Sequence, residues 1–103
     1  MLTCFIRYEI DPWEVEAFKR YARTWNEAIP RCGADLIGYF APAEGSATTA
    51  YGISNIESLA AYEAYRARLR QDKAAMENFR FAEEQKCILV EERTWLRPVA
   101  KGA

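Results

Sequence analysis

The sequence predicts an α+β domain of the ferredoxin-like kind: strands and helices in the order βαββαβ, giving one four-stranded antiparallel sheet covered on one face by helices. Three observations predict it. The chain opens on a period-2 apolar alternation and passes at once into a 3.6-period apolar stripe. A single Pro/Gly/Ser turn cluster then separates two short apolar runs, as in a hairpin. A second helical stretch and one long terminal strand pattern complete the order. The chain has 103 residues, half of them hydrophobic, which suits one ordinary domain. A chain of this size folds to roughly 5,900 Å² of surface from roughly 17,000 Å². A core is attainable without disulfides or metal, with a margin thin enough that a subunit interface would help.

In the first strand, Leu2, Cys4, Ile6, Tyr8 and Ile10 form one apolar face, and Thr3, Phe5, Arg7 and Glu9 a mixed one. Asp11-Pro12 marks a helix start, with Asp11 as N-cap, Pro12 at the first helical position and Glu14 completing a capping box. Val15, Phe18, Ala22, Trp25 and Ile29 make the strongest helical stripe. Pro30 disfavours further helix, and Gly33 suits a left-handed C-cap. Leu36 to Phe40 and Thr48 to Ser54 are the hairpin strands around Ala41-Pro42-Ala43-Glu44-Gly45-Ser46. Ser54-Asn55-Ile56-Glu57 matches a capping box, and Leu59, Tyr62, Tyr65 and Leu69 form the stripe behind it. Asp72 can cap a further helix carrying Met76, Phe79 and Ala82, and Lys86 to Leu96 is the last strand. A single domain over residues 1–98 is expected, with 99–103 a loose tail.

Composition excludes several chemistries. There is no histidine, so imidazole acid/base work and histidine-ligated zinc or haem are out of reach. Cys4, Cys32 and Cys87 show no C-x-x-C spacing and read as reduced thiols, Cys4 and Cys87 buried in strands and Cys32 the more exposed. Neither a P-loop nor G-x-G-x-x-G occurs. With 14 basic and 15 acidic residues, the chain has no footprint of a nucleic-acid binder or polybasic membrane anchor. No apolar run approaches a membrane span. Arg7 and Glu9 interrupt what would be a secretory leader, so a soluble cytoplasmic protein is expected.

Helices on one face of a sheet leave the other to solvent, where a monomer reads as plainly polar. Here the mixed faces carry Phe5 and Trp95 beside Arg7 and Arg93. Leaving two such aromatics wet forgoes roughly 2–3 kcal/mol each. Two sheets packing face to face in a homodimer is the expected remedy.

Several stretches of this sequence resemble the NIPSNAP family. They are Cys4-Phe5 to Glu9-Ile10-Asp11-Pro12, Gly38-Tyr39-Phe40 with Pro42, Glu44 and Gly45, Ser58 to Arg66, and Glu92-Arg93-Thr94-Trp95-Leu96-Arg97-Pro98. The resemblance runs over nearly the whole chain and implies the dimeric α/β-barrel superfamily, in which two ferredoxin-like protomers join their sheets. It also implies a pocket between sheet and helices. Where some members carry histidine and tryptophan in the strand after the hairpin, this chain has Ala50-Tyr51-Gly52.

Trp25, Tyr39, Tyr51, Tyr62 and Trp95 are candidates to line that pocket, with Arg7 or Arg93 as a polar anchor. The competing reading is core packing for Trp25 and cross-strand packing for Tyr39 and Tyr51. Arg7, Glu9, Glu91 and Arg93 are expected within reach of one another, and balanced charges favour a network over an anion anchor. The expected function is a homodimeric binder of a small apolar or aromatic molecule, with no cofactor or metal. One alternative is a cofactor-free monooxygenase or isomerase of small aromatics, using Asn26, Tyr39, Arg93 and Trp95. Another is a partner-binding scaffold displaying Arg66, Arg68 and Arg70.

Overall fold

In the computed structural model, residues 1–99 are described; of the tail expected over 99–103, only the exposed Val99 falls within them. Strand β1 (Leu2–Ile10) is followed by helix α1 (Val15–Arg31) and the strands β2 (Asp35–Phe40) and β3 (Thr49–Ile56). Helices α2 (Leu59–Gln71) and α3 (Lys73–Gln85) then lead into β4 (Ile88–Leu96). The sheet is antiparallel with order β2-β3-β1-β4, so the fold is the ferredoxin-like α+β arrangement with its second helix split in two.

Several boundaries differ from those expected: β4 starts at Ile88, because Lys86 takes the left-handed C-cap position of α3, which leaves Cys87 before the strand. Helix α1 starts one turn late: Asp11 accepts from the Trp13 amide and its carbonyl from the Glu14 amide, so Asp11–Glu14 closes as a turn and Glu14 becomes the N-cap. The capping box at Ser54 is not used, because β1 pairs with Ser54, Asn55 and Ile56 and keeps them in β3. Ser58 caps α2 instead, accepting from the Ala61 amide. Pro30 lies inside the last turn of α1, and the helix ends beyond it at Gly33, whose φ of +105° closes the αL stop.

Asp72 does two jobs at the α2–α3 junction. Its carboxylate caps α3 by accepting from the Ala75 amide, 3.0 Å away. It also receives a forked pair from Arg31 at 2.8 and 2.9 Å, tying the end of α1 to the junction. Cys32, expected to be the exposed thiol, is only 4% exposed, since its chain turns under Asp72 and the Arg68 side chain, which donates to the Cys32 carbonyl. Two of the three α2 arginines are engaged within the fold: Arg68 makes this contact, and Arg66 lies over the Tyr62 ring.

The register decides which residues share a face, because directly opposed residues point the same way. Ile6 faces Arg93, Tyr8 faces Glu91 and Cys4 faces Trp95, so these three β4 side chains stand on the helix-covered side. Arg7 faces Tyr51 and Glu92 on the uncovered side. The expected Arg7–Glu9–Glu91–Arg93 cluster is thus split across the sheet, and Phe5 and Trp95 lie on opposite faces. Arg7 pairs instead with Glu9 at 3.0 Å and Glu92 at 3.8 Å. The uncovered face still carries apolar surface. Phe5 packs on Tyr51 with ring centres 5.3 Å apart, and Phe40 and Leu96 are 48% and 45% exposed.

Arg31 and the Ala75 amide hold the Asp72 carboxyl at about 2, below its ordinary 3.8. A lowered carboxyl stabilises the fold above its unfolded value, and that contribution disappears as pH falls from about 4 towards 2. Asp72→Asn keeps a competent N-cap and removes the charge. Its melting temperature should lie below the parent's at neutral pH, and the gap should close between pH 4 and 2. Thermal scans across that range check this; a gap that stays constant contradicts it.

Candidate functional site

A half-open cleft lies between the helices and the covered face of the sheet. Its floor is built from Cys4, Ile6 and Tyr8 of β1, Gly52 of β3, Tyr39 of β2, and Glu91 and Arg93 of β4. Its roof is Tyr21 and Trp25 of α1, Tyr62 and Tyr65 of α2, and Phe79 of α3. The cavity volume is about 70 Å³, about half the ~150 Å³ of an apolar cavity that holds benzene. A ring-sized ligand would therefore sit partly in the mouth.

The aromatic walls are mutually braced. Tyr8 meets Phe18 edge-on at 5.2 Å, Tyr21 meets Trp25 at 5.7 Å and Trp25 meets Phe79 at 5.0 Å. Tyr62 is held from below by Trp95 at 4.7 Å. Gly52 lets the Tyr39 ring lie flat on the sheet: a Cβ there would stand 2.8 Å from a ring carbon. The Tyr39 and Tyr8 hydroxyls meet at 3.3 Å.

Burial governs the ionisation of the lining. It raises the Tyr8, Tyr39 and Tyr65 hydroxyls and the Cys4 thiol, and it raises Tyr21 to about 12. These groups stay neutral near pH 7 and offer hydrogen bonds rather than a base. The Trp25 ring N–H works against the rise at Tyr21. It nevertheless meets no acceptor in hydrogen-bond geometry, and it is the single orphaned buried side-chain donor among the described residues. Trp25 is 3% exposed, so this orphan costs roughly 1–3 kcal/mol until an acceptor arrives.

Arg93 is the cation of the site, and it remains exposed at the cleft mouth. Burial opposes its charge, but the Tyr62, Cys4, Glu91 and Tyr8 side chains around it outweigh that and raise its pKa. Among the described residues no carboxylate comes within ion-pair distance of it. Glu91 stands two residues away on the same strand face.

Of the residues expected to form a pocket, Trp25, Tyr39, Tyr62 and Arg93 line the cleft. Trp95 supports it from beneath Tyr62. Arg7 and Tyr51 do not belong to it: odd-numbered β1 residues and their β3 partners face away from the helices. Asn26 faces a separate groove beside Phe40 and Arg23, so the group Asn26, Tyr39, Arg93 and Trp95 does not assemble. Glu91, expected in a charge network, and Tyr8, expected in the apolar face of β1, also line the cleft, as does Tyr21, which the sequence did not single out. The signal for Glu91 was its i, i+2 spacing from Arg93, which places both on one strand face. No three acidic or thiol side chains gather to hold a metal among the described residues.

Gly52→Ala would drive a methyl into the Tyr39 ring and should cost roughly 1–3 kcal/mol through that displacement. Urea unfolding measures it, and a change under about 0.5 kcal/mol would show that Tyr39 is not pinned as described.

The sequence matches the NIPSNAP family over residues 3–101. No curated protein matches it. Among solved structures, a protein of Agrobacterium tumefaciens superposes with a TM-score of 0.82 at 21% identity, over 96% of this chain and 94% of that one. An uncharacterized NIPSNAP-like domain protein of Burkholderia xenovorans gives 0.77 at 21% identity, over 99% and 88%. A Nitrosomonas europaea protein, assigned provisionally as an antibiotic biosynthesis monooxygenase, gives 0.74 at 11% identity, over 97% and 100%. These likenesses show the ferredoxin-like fold shared with such proteins. With nearly its whole length matched, this chain belongs to the NIPSNAP family.

Proposed function

We propose that this NIPSNAP protein is a cytoplasmic homodimer that binds a small apolar or aromatic molecule in the cleft between its sheet and helices. The observation that carries the reading is Arg93, a cation without an ion-pair partner among the described residues, standing beside a wall of braced aromatic rings. A structural arginine would be expected to hold a carboxylate; this one presents its charge to the cleft. Trp25 and Tyr39 supply ring surface, and Arg93 orients the polar end of the ligand. The three buried, unpaired cysteines suit a reducing compartment.

The dimer rests on the uncovered face of the sheet. The chain is flat, 44 × 35 × 19 Å, and exposes 6788 Å², against roughly 5,900 Å² for a compact monomer of this mass. Phe5, Phe40, Tyr51 and Leu96 lie on that face, and Arg7 sits among them on the central strand, paired with Glu9 and Glu92. Packing two copies there, as in a dimeric α/β barrel, would cover these apolar side chains.

Two measurements test these readings. Thermal melts with indole, 1-naphthol and benzoate at millimolar concentration should show a rise with at least one, a ligand at a hundred times its Kd being worth about 2.7 kcal/mol. Arg93→Met should stay within about 1 kcal/mol of the parent, having no ion pair to lose, and should bind the acid less well; flat melts for every compound would dismiss the binding role. Sedimentation at micromolar concentration should give a dimer. Phe5→Lys should weaken it roughly a thousandfold, because a two-fold interface counts the change twice at about 2 kcal/mol each. A monomeric parent would remove the dimer.

A further inference from the structure

The cleft wall carries two opposite charges that do not neutralise each other. Arg93 and Glu91 project from the same face of β4, two residues apart, which the rise of a strand makes about 6.6–6.8 Å. They are not within 4.0 Å of each other as an ion pair. Glu91 lies opposite Tyr8, whose hydroxyl meets that of Tyr39 at 3.3 Å, and Arg93 lies opposite Ile6.

A plain aromatic anion fits this wall poorly, since the charge that suits Arg93 is repelled by Glu91. A neutral hydrocarbon fits no better, because it leaves both charges facing apolar surface as water is displaced. We infer that the ligand is a bifunctional aromatic acid: a ring with a carboxylate for Arg93 and, across the ring, a hydroxyl that donates to Glu91. Two residues of strand separate the two side chains, so the acid and the donor belong at different positions on the ring. The Trp25 ring lines the same cleft and its N–H is orphaned, so an acceptor on the ligand would serve it. A phenolic oxygen both donates and accepts, whereas an aryl amine donates well and accepts poorly.

The inference rests on the binding role proposed above, and the experiment separates the two. Calorimetry on the full chain would compare 4-hydroxybenzoate with 4-aminobenzoate, benzoate and phenol. The hydroxy acid should bind at least tenfold tighter than benzoate and phenol, with the amino acid between. Arg93→Met should abolish the advantage over phenol, and Glu91→Leu the advantage over benzoate. Indole N–H resonances of the parent give a readout that no variant's folding can obscure: 4-hydroxybenzoate should move the Trp25 signal and leave that of the exposed Trp13 in place. Equal binding of all four compounds, or a shift confined to Trp13, would overturn the bifunctional ligand while the binding role stood. Failure of every aromatic to bind would overturn both.

Discussion

The antiparallel registration of the first strand against the last is the constraint on which the rest of the structure depends. Once Ile6 lies opposite Arg93, every second residue of β4 is committed to the helix side and its neighbours to the other. That one alignment puts Glu91 and Arg93 into the cleft, sets Trp95 beneath Tyr62, and leaves Arg7 to satisfy itself with Glu9 and Glu92 on the far face. A slip by one residue would bury Glu92 and send Arg93 to the uncovered side. The buried alternation Cys4, Ile6, Tyr8, Ile10 prevents that slip, since only one face of β1 is apolar enough to lie under the helices.

The two faces of the sheet answer different demands. The covered face uses bulk: Phe18, Tyr21 and Trp25 project from one stripe of α1, with Phe18 tilted against Tyr21 and Tyr21 edge-on to Trp25. Such packing is stiff, so the cleft keeps its walls in place of collapsing onto the gap. The uncovered face uses pairing. Thr3 donates to Asn55 at 2.6 Å, Thr48 donates to Glu9 at 2.7 Å, and Phe5 leans on Tyr51 between them. Several of its polar groups are thus already paired, which lowers the cost of covering them.

Much of the fold was legible in the residues, for identifiable reasons. The first strand, the α1 stripe and the Asp72 cap are set by short-range pattern, and they stand where pattern puts them. The start of α1 and the length of β3 were not legible. The first depends on Asp11 preferring a turn to a cap, and the second on long-range pairing with β1 that overrides the local signal at Ser54. The site was half legible for the same reason. Trp25, Tyr39, Tyr62 and Arg93 are rings and a charge in a pattern that offered them, but only the β1–β4 register separates Arg93 from Arg7. Cys32 looked exposed because it sits near a helix end; Asp72 and Arg68, 40 and 36 residues away, close over it.

The joint between Arg31 and Asp72 has a mechanical consequence. Helix α2 buries only Tyr65 and Leu69, and α3 only Ala75 and Asn78, so both are lightly anchored beside α1. At its far end α2 is held by a carboxylate that also starts the next helix, and Arg68 ties it to the Cys32 carbonyl. Local opening of α2 would lift Tyr62 away from Trp95 and would have to release Tyr65, Leu69 and the Arg68 contact. The width of the entrance is therefore tied to these few anchors rather than to the stability of the whole domain.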